Sequence, residues 1–121
     1  MRKYLLHILI ISFVFLLAPT AHVALYAGEI EDAREEVRNN PDDAKAHFGL
    51  GIAYGKSGMY EEAIESFKQA IRIDPDFADA YYGLGIAYEL LNDRDSALEQ
   101  YEILKSLDTE RAKELFDYIY E

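Results

Sequence analysis

The 121-residue chain contains no cysteine, which excludes a disulfide staple, a lipid anchor on cysteine and any thiolate metal site. Histidine is nearly as scarce. Two of the three, His7 and His22, fall in the apolar N-terminal stretch, and His47 is the only imidazole in the remainder. One imidazole without a thiol cannot complete a structural zinc site, and no nucleophile, base and orienting group fall at a spacing suited to catalysis. Basic residues are also few. With Arg2 and Lys3 set aside, ten Lys and Arg remain against 23 Asp and Glu, so the part from Gly28 onward has a net charge of −13. That balance argues against nucleic acid and anionic lipid as partners, because counterion release needs a basic patch. It suits a basic protein partner, or solubility alone.

No acidic residue occurs before Glu29. The start, Met1-Arg2-Lys3, leads into an apolar run from Tyr4 to Ala18 broken only by His7 and Ser12, the layout of a secretory signal. Residues 1–27 are therefore expected to be a signal peptide or an N-terminal anchor, with Arg2 and Lys3 on the cytoplasmic side in either case. The best cleavage point follows Ala27, yet Leu25 stands where a small residue is wanted. Tyr4–Ala27 reaches the roughly 20 residues of a membrane span only by including His7, Pro19, Thr20 and His22. Both fates predict a chain exported across the inner membrane, periplasmic or extracytoplasmic, touching the membrane only through this segment if it is retained.

The rest of the chain repeats itself. Shifted by 34 residues, Ala44–Phe77 overlies Ala78–Arg111 without a gap, and Gly49-Leu50-Gly51-Ile52-Ala53-Tyr54 is identical to Gly83-Leu84-Gly85-Ile86-Ala87-Tyr88. Each unit reads as two amphipathic helices. In the first unit His47, Leu50, Gly51 and Tyr54 share one face, and after the turn at Ser57-Gly58 so do Ala63, Ile64, Phe67, Ala70 and Ile71. Gly58, and Asn92 with Asp93, supply helix ends, and Pro75 stops the second helix. Asp76 or Phe77 is expected to open the next helix, with Asp79 in its first turn.

His47, Leu50, Gly51, Tyr54, Ala63, Phe67 and Pro75, followed by Tyr81, Leu84, Gly85, Tyr88, Ala97 and Tyr101, carry a resemblance to the tetratricopeptide repeat family. His47 departs from the family's large aromatic, and Thr109 stands where proline is expected, which suggests that the array closes there. The resemblance implies an all-α fold, an α-solenoid of helix-turn-helix units at residues 44–77 and 78–111. Small Gly51 and Ala63 admit close helix approach, with Tyr54 and Phe67 filling the space beside them. A leading helix, about Glu29–Arg38 within residues 28–43, forms a half repeat, because Ile30, Ala33, Val37 and Pro41 precede Ile64, Phe67, Ile71 and Pro75 by one period. A capping helix over Glu110–Tyr120, closing the chain at 112–121, is expected to turn Ala112, Leu115, Phe116 and Ile119 inward.

Other candidate features have plain structural readings. His47 is expected to be a packed or half-buried ring. The acidic clusters at Asp74–Asp79 and Asn92–Asp95 lie at helix junctions, where Asp caps a helix and lacks calcium-loop spacing. Gly49, Gly51, Gly83 and Gly85 fall inside helices as packing positions and not in a phosphate-binding turn. No cofactor and no enzymatic activity are expected.

In the family resembled, the first helix of each unit lines a concave groove for a peptide or protein. Counting helix faces places Lys45, Phe48, Ile52, Gly55 and Lys56 there from one unit, and Asp79, Tyr82, Ile86, Glu89 and Leu90 from the next. The apolar members suit a partner's apolar or aromatic anchors; alternatively, Ile52 and Ile86 simply touch neighbouring helices. The expected function is an adaptor holding a protein partner in this groove. The alternative is a membrane-anchored, self-associating scaffold subunit of a cell-envelope assembly, with contacts through Leu115, Phe116 and Ile119 or the leading helix.

Overall fold

The computed structural model describes residues 23–121. The signal or anchor expected over residues 1–27 therefore lies largely outside the described residues. Among these, the chain forms six helices and no strand: α1 over residues 23–39, α2 Ala44–Lys56, α3 Tyr60–Ile73, α4 Ala78–Leu90, α5 Arg94–Leu107 and α6 Thr109–Tyr120. Helices α2 with α3, and α4 with α5, are the most extensively packed pairs, and α3 packs on α4 to join the two units into one solenoid. Among the described residues no helix is long and apolar enough to cross a membrane.

The helix ends follow local chemistry. Asp43 accepts from the Lys45 amide, Asp93 from the Ser96 amide, and Asp108 from the amides of Glu110 and Arg111, each satisfying donors that the first turn leaves open. Between α2 and α3 the chain reverses at Gly58 (φ +80), and between α4 and α5 at Asn92 (φ 61), the two residue types best able to adopt the left-handed conformation. Phe77, not Asp76, occupies the N-cap of α4, without a side-chain bond; Asp74 instead accepts from the Asp76 amide at 3.1 Å and tightens the linker.

His47 fills its aromatic position in an informative way. Its Nε2 lies 2.8 Å from the Pro41 carbonyl, and one period later the Tyr81 hydroxyl donates to the Pro75 carbonyl at 2.9 Å. A carbonyl can only accept, so Nε2 carries the proton. The imidazole therefore makes the same link from helix to linker as the phenol does, and its ring is half-buried.

The core is organised by helix-to-helix approach at small residues. Ala63, Ala70, Ala80 and Ala97 are completely buried. The ring of Phe67 lies against two glycines: a methyl group at Gly51 would stand 2.6 Å from its Cε1, and one at Gly83 2.8 Å from its Cζ. One period on, Gly85 is met by Leu115 of α6 at 2.5 Å, and not by Tyr101, the counterpart of Phe67. Gly49 corrects the expectation that all four helical glycines are packing positions: nothing lies within 4 Å of a methyl placed there. The reason is one period upstream of Phe67, where Ala33 is too short to cover it.

The two terminal helices also differ from expectation. Helix α1 begins at least six residues before Glu29 and runs unbroken through Ala27 and Gly28. It joins the array through buried Ile30, through Arg34, whose Nε and Nη2 donate to the Tyr54 hydroxyl at 3.0 and 2.9 Å, and through a Glu29–Lys56 ion pair at 3.0 Å. Helix α6 starts at Thr109, one residue before the expected Glu110. Ala112, Leu115 and Ile119 are buried as expected, but Phe116 is 41% exposed and packs sideways on Tyr101 and Tyr120, with ring centroids 5.4 and 4.6 Å apart.

The two unit-1 glycines give a direct test of this packing. Gly49→Ala is expected to stabilise the fold by about 1 kcal/mol, by helix propensity alone. Gly51→Ala is expected to destabilise it by about 1–3 kcal/mol, because the Phe67 ring must move. Urea unfolding followed by circular dichroism measures both, and effects of the same sign would show that the Phe67 contact is not restrictive.

Candidate functional site

The face of the solenoid built from α2 and α4 holds a groove of about 490 Å³. Its floor is made by the residues that let the helices approach, Gly51, Ala63, Phe67, Gly83 and Ala87, and its sides by Phe48 and Ile52 from α2 and Tyr82, Ile86 and Leu90 from α4. The floor is apolar because a helix pair packed through Gly and Ala leaves no side chain to fill the space above it. Phe48 is held in place by ring contacts with Phe67 and Phe77, at 5.7 and 5.1 Å between centroids. Ile52 and Leu90 are 38% and 42% exposed, so the sides offer apolar area directly to solvent.

Of the ten residues assigned to the groove by helix-face counting, eight line it: Phe48, Ile52, Gly55, Lys56, Asp79, Tyr82, Ile86 and Leu90. The other two are corrected. Lys45 lies in a separate depression of about 300 Å³ between α1 and α2, with Glu29, Glu36 and Gly49. Glu89 turns aside to accept from Arg94 at 2.8 Å and is only 17% exposed at its side chain.

Two polar residues of the groove come from outside the counted helices. Tyr60 stands at the start of α3, and Arg111 reaches in from α6. Arg111, in the first turn of α6, reaches α4, where it pairs with Asp79 at 2.8 Å, binds Glu114 at 2.9 Å and places its guanidinium 5.3 Å from the centre of the Tyr82 ring. The family's signature positions carry no sign of either residue. The available clue was Asp108, a capping residue type with Glu110 in the first turn behind it. Among the described residues, no group of three His, Asp or Glu is arranged to hold a metal ion.

Burial pushes three phenols of the array, one of them in the groove, above their ordinary value of 10.0. Tyr82 is raised by desolvation and then by Glu114, with Arg111 opposing. Tyr118 of α6 is raised by desolvation and then by its neighbours Tyr60, Glu89 and Tyr82. Tyr81, bonded to the Pro75 carbonyl, is raised by desolvation and then by Asp76 and Asp74. A phenol whose pKa rises on folding contributes stability that is complete below 10.0 and is lost as pH climbs through the folded value. The array is therefore expected to keep constant stability from these groups at neutral pH and to lose it above pH 10, with a falling urea midpoint. Tyr81→Phe with Tyr118→Phe should flatten that alkaline loss, and an unchanged slope would contradict the assignment.

Three repeat models match the sequence: one described as TPR repeat over residues 56–92, and two described as tetratricopeptide repeat over residues 33–65 and 79–108. A search of curated proteins finds no match. Among solved structures, one titled "Crystal structure of MamA" superposes with a TM-score of 0.69 at 31% identity, covering 75% of this chain and 54% of that one. MamA 41-end from Desulfovibrio magneticus RS-1 superposes with a TM-score of 0.67 at 26% identity, over 71% of this chain and 49% of that one. A structure titled MamA AMB-1 gives 0.66 at 26% identity, over 78% and 56%. The chain thus spans about half the length of these MamA chains. With repeat models covering residues 33–108 and two helix pairs stacked as those models require, the chain belongs to the tetratricopeptide repeat family.

Proposed function

We propose that this protein is an exported interaction module that holds a segment of a protein partner in the groove between α2 and α4. The observation that carries the reading is the groove itself: an apolar floor of backbone and small side chains, flanked by Phe48, Ile52, Tyr82, Ile86 and Leu90. A single-chain protein that exposes a contiguous concave apolar surface normally covers it in use. A volume near 490 Å³ takes one or two large side chains and not a whole domain face, which favours a peptide-like segment with a few anchors. Binding and not chemistry is the reading, since the groove's charged members are a salt-bridged Arg111–Asp79 pair and Lys56 joined to Glu29.

Phe48 and Tyr82 are the natural anchors' counterparts, being large, partly exposed and placed on opposite sides. Phe48→Ala and Tyr82→Ala are each expected to weaken a partner by about 2 kcal/mol or more, roughly 30-fold. The partner is obtained by retention on immobilised wild-type protein and its affinity measured by calorimetry. Retention unchanged in both variants would place the binding surface elsewhere.

A second reading, an anchored and self-associating scaffold subunit, draws on two features. Helix α1 passes unbroken through Ala27–Gly28, the bond at which cleavage is expected, and Phe116 and Tyr120 leave aromatic surface open on α6. Expression of the full chain in a bacterium, with the intact mass measured in periplasmic and membrane fractions, separates the two. A periplasmic mass beginning at Gly28 is expected for the free adaptor, and a full-length mass in the membrane for the scaffold.

A further inference from the structure

The depression between α1 and α2 is a second copy of the groove. Gly49, Ile52 and Lys56 of its lining stand 34 residues before Gly83, Ile86 and Leu90 of the groove, and Ala33 stands 34 before Phe67. The repeat therefore builds the same surface twice, once over α3 and once over α1. The two copies adjoin, because Ile52 and Lys56 line both, and a segment lying in the groove reaches the depression by crossing α2 at Ile52. Along that path α2 offers little but backbone: a methyl group at Gly49 or Gly55 would meet no atom within 4 Å, and Ile52 between them is 38% exposed.

The copies differ in their floor. In the groove the ring of Phe67 lies against Gly83, its Cζ 2.8 Å from where a methyl group would stand, whereas in the depression Ala33 ends at its own methyl and Gly49 stays uncovered. The molecule thus shows what this position accepts, a phenyl ring on the bare backbone of a helical glycine. About 300 Å³ is open where that ring is missing, room for one aromatic side chain brought from outside. A ring of that kind buries on the order of 150–250 Å² of surface when enclosed, which makes it the side chain that gains most from the vacancy in the repeat.

We propose that the segment held in the groove continues across α2 and seats a second anchor, an aromatic ring, on Gly49, in the place of the missing counterpart of Phe67. The inference rests on the groove reading above and names the chemistry of its partner: an apolar anchor between α2 and α4, and a phenylalanine-like anchor between α1 and α2. The two seats are separated by the width of one helix, about 10 Å, which an extended chain crosses in about three residues. The second ring touches both α1 and α2, so binding also fastens the leading helix to the array.

The test selects short random peptides displayed on phage against the full chain as recovered from expressing cells. Enriched sequences are expected to share an apolar residue and, about three positions away, an aromatic one. The most enriched peptide is synthesised with a fluorophore, alongside a version with alanine in place of the aromatic residue, and anisotropy is expected to show about tenfold weaker binding of the alanine version. Gly49→Leu, which fills the depression, and Ala33→Phe, which supplies the ring from within, are each expected to bring the two peptides to one affinity, that of the alanine peptide on the wild type. Phe48→Ala is expected to weaken both peptides alike. In hydrogen exchange the aromatic peptide is expected to slow the amides of α1 in the wild type, and the alanine peptide to leave them unchanged. Peptides with a single anchor that are lost in Phe48→Ala, or an aromatic preference that survives Gly49→Leu and Ala33→Phe, overturn the second seat and leave the groove reading standing. No enrichment, or binding indifferent to Phe48→Ala, overturns both. Growth in size with concentration by light scattering that is lost in Gly49→Leu identifies a second copy as the occupant and also overturns the proposal.

Discussion

Contact between one aromatic ring and two stretches of bare helix backbone holds the array together. Phe67 leans on Gly51 of its own unit and on Gly83 of the next, so a single side chain fixes the distance from α3 to both α2 and α4. Removal of such a ring from a closed core typically costs about 3–5 kcal/mol, a large share of the stability of a domain this small. Around it the completely buried alanines Ala63, Ala70 and Ala80 keep the helices close enough for Phe67 to reach both backbones. Ile30, Tyr54, Ile64 and Leu84 complete the same cluster.

The groove is a by-product of that constraint. Where helices meet through Gly and Ala, the space above the meeting line is left open, and α2 and α4 on either side raise Phe48, Ile52, Tyr82 and Ile86 as its flanks. Stability and recognition therefore share residues: Phe67 is at once the wedge of the core and part of the groove floor. A larger side chain on the floor is therefore expected to disturb the core as well as the groove, whereas the flanks, which are partly exposed, can change with less effect on the packing. As a member of the tetratricopeptide family with two packed units, the chain is an interaction scaffold in its architecture, and its individual chemistry resides in those flanks.

Much of this was legible in the sequence because it repeats. The six-residue identity at a 34-residue shift located α2 and α4, and the Gly and Ala positions with their aromatic counterparts gave the packing. Eight of the ten residues assigned by face counting line the groove. Glu89 was misplaced because a face count knows nothing of a neighbouring arginine, and the pull of Arg94 takes its carboxylate away from the groove. Arg111 and Tyr60 were missed for another reason: faces were counted only on the first helix of each unit, whereas Tyr60 opens α3 and Arg111 lies in the first turn of α6. Gly49 shows a clue present and unread, since the shift that pairs Gly49 with Gly83 also pairs Ala33 with Phe67.

That last pairing sets a gradient of cohesion along the molecule. In a stack where each helix touches only its neighbours, the strength of every junction is set locally. The α3–α4 junction is wedged by a phenyl ring, while the same position at the α1–α2 junction holds a methyl group and leaves Gly49 uncovered. Among the described residues, α1 is held chiefly by Ile30, by the Arg34–Tyr54 hydrogen bonds and by a surface ion pair of small energetic weight. The stack is therefore expected to open first at its leading end, with α1 amide protons exchanging through local openings that leave α2 to α5 closed. The α1–α2 junction is the soft joint of the array, and movement of α1 there leaves the groove between α2 and α4 its shape.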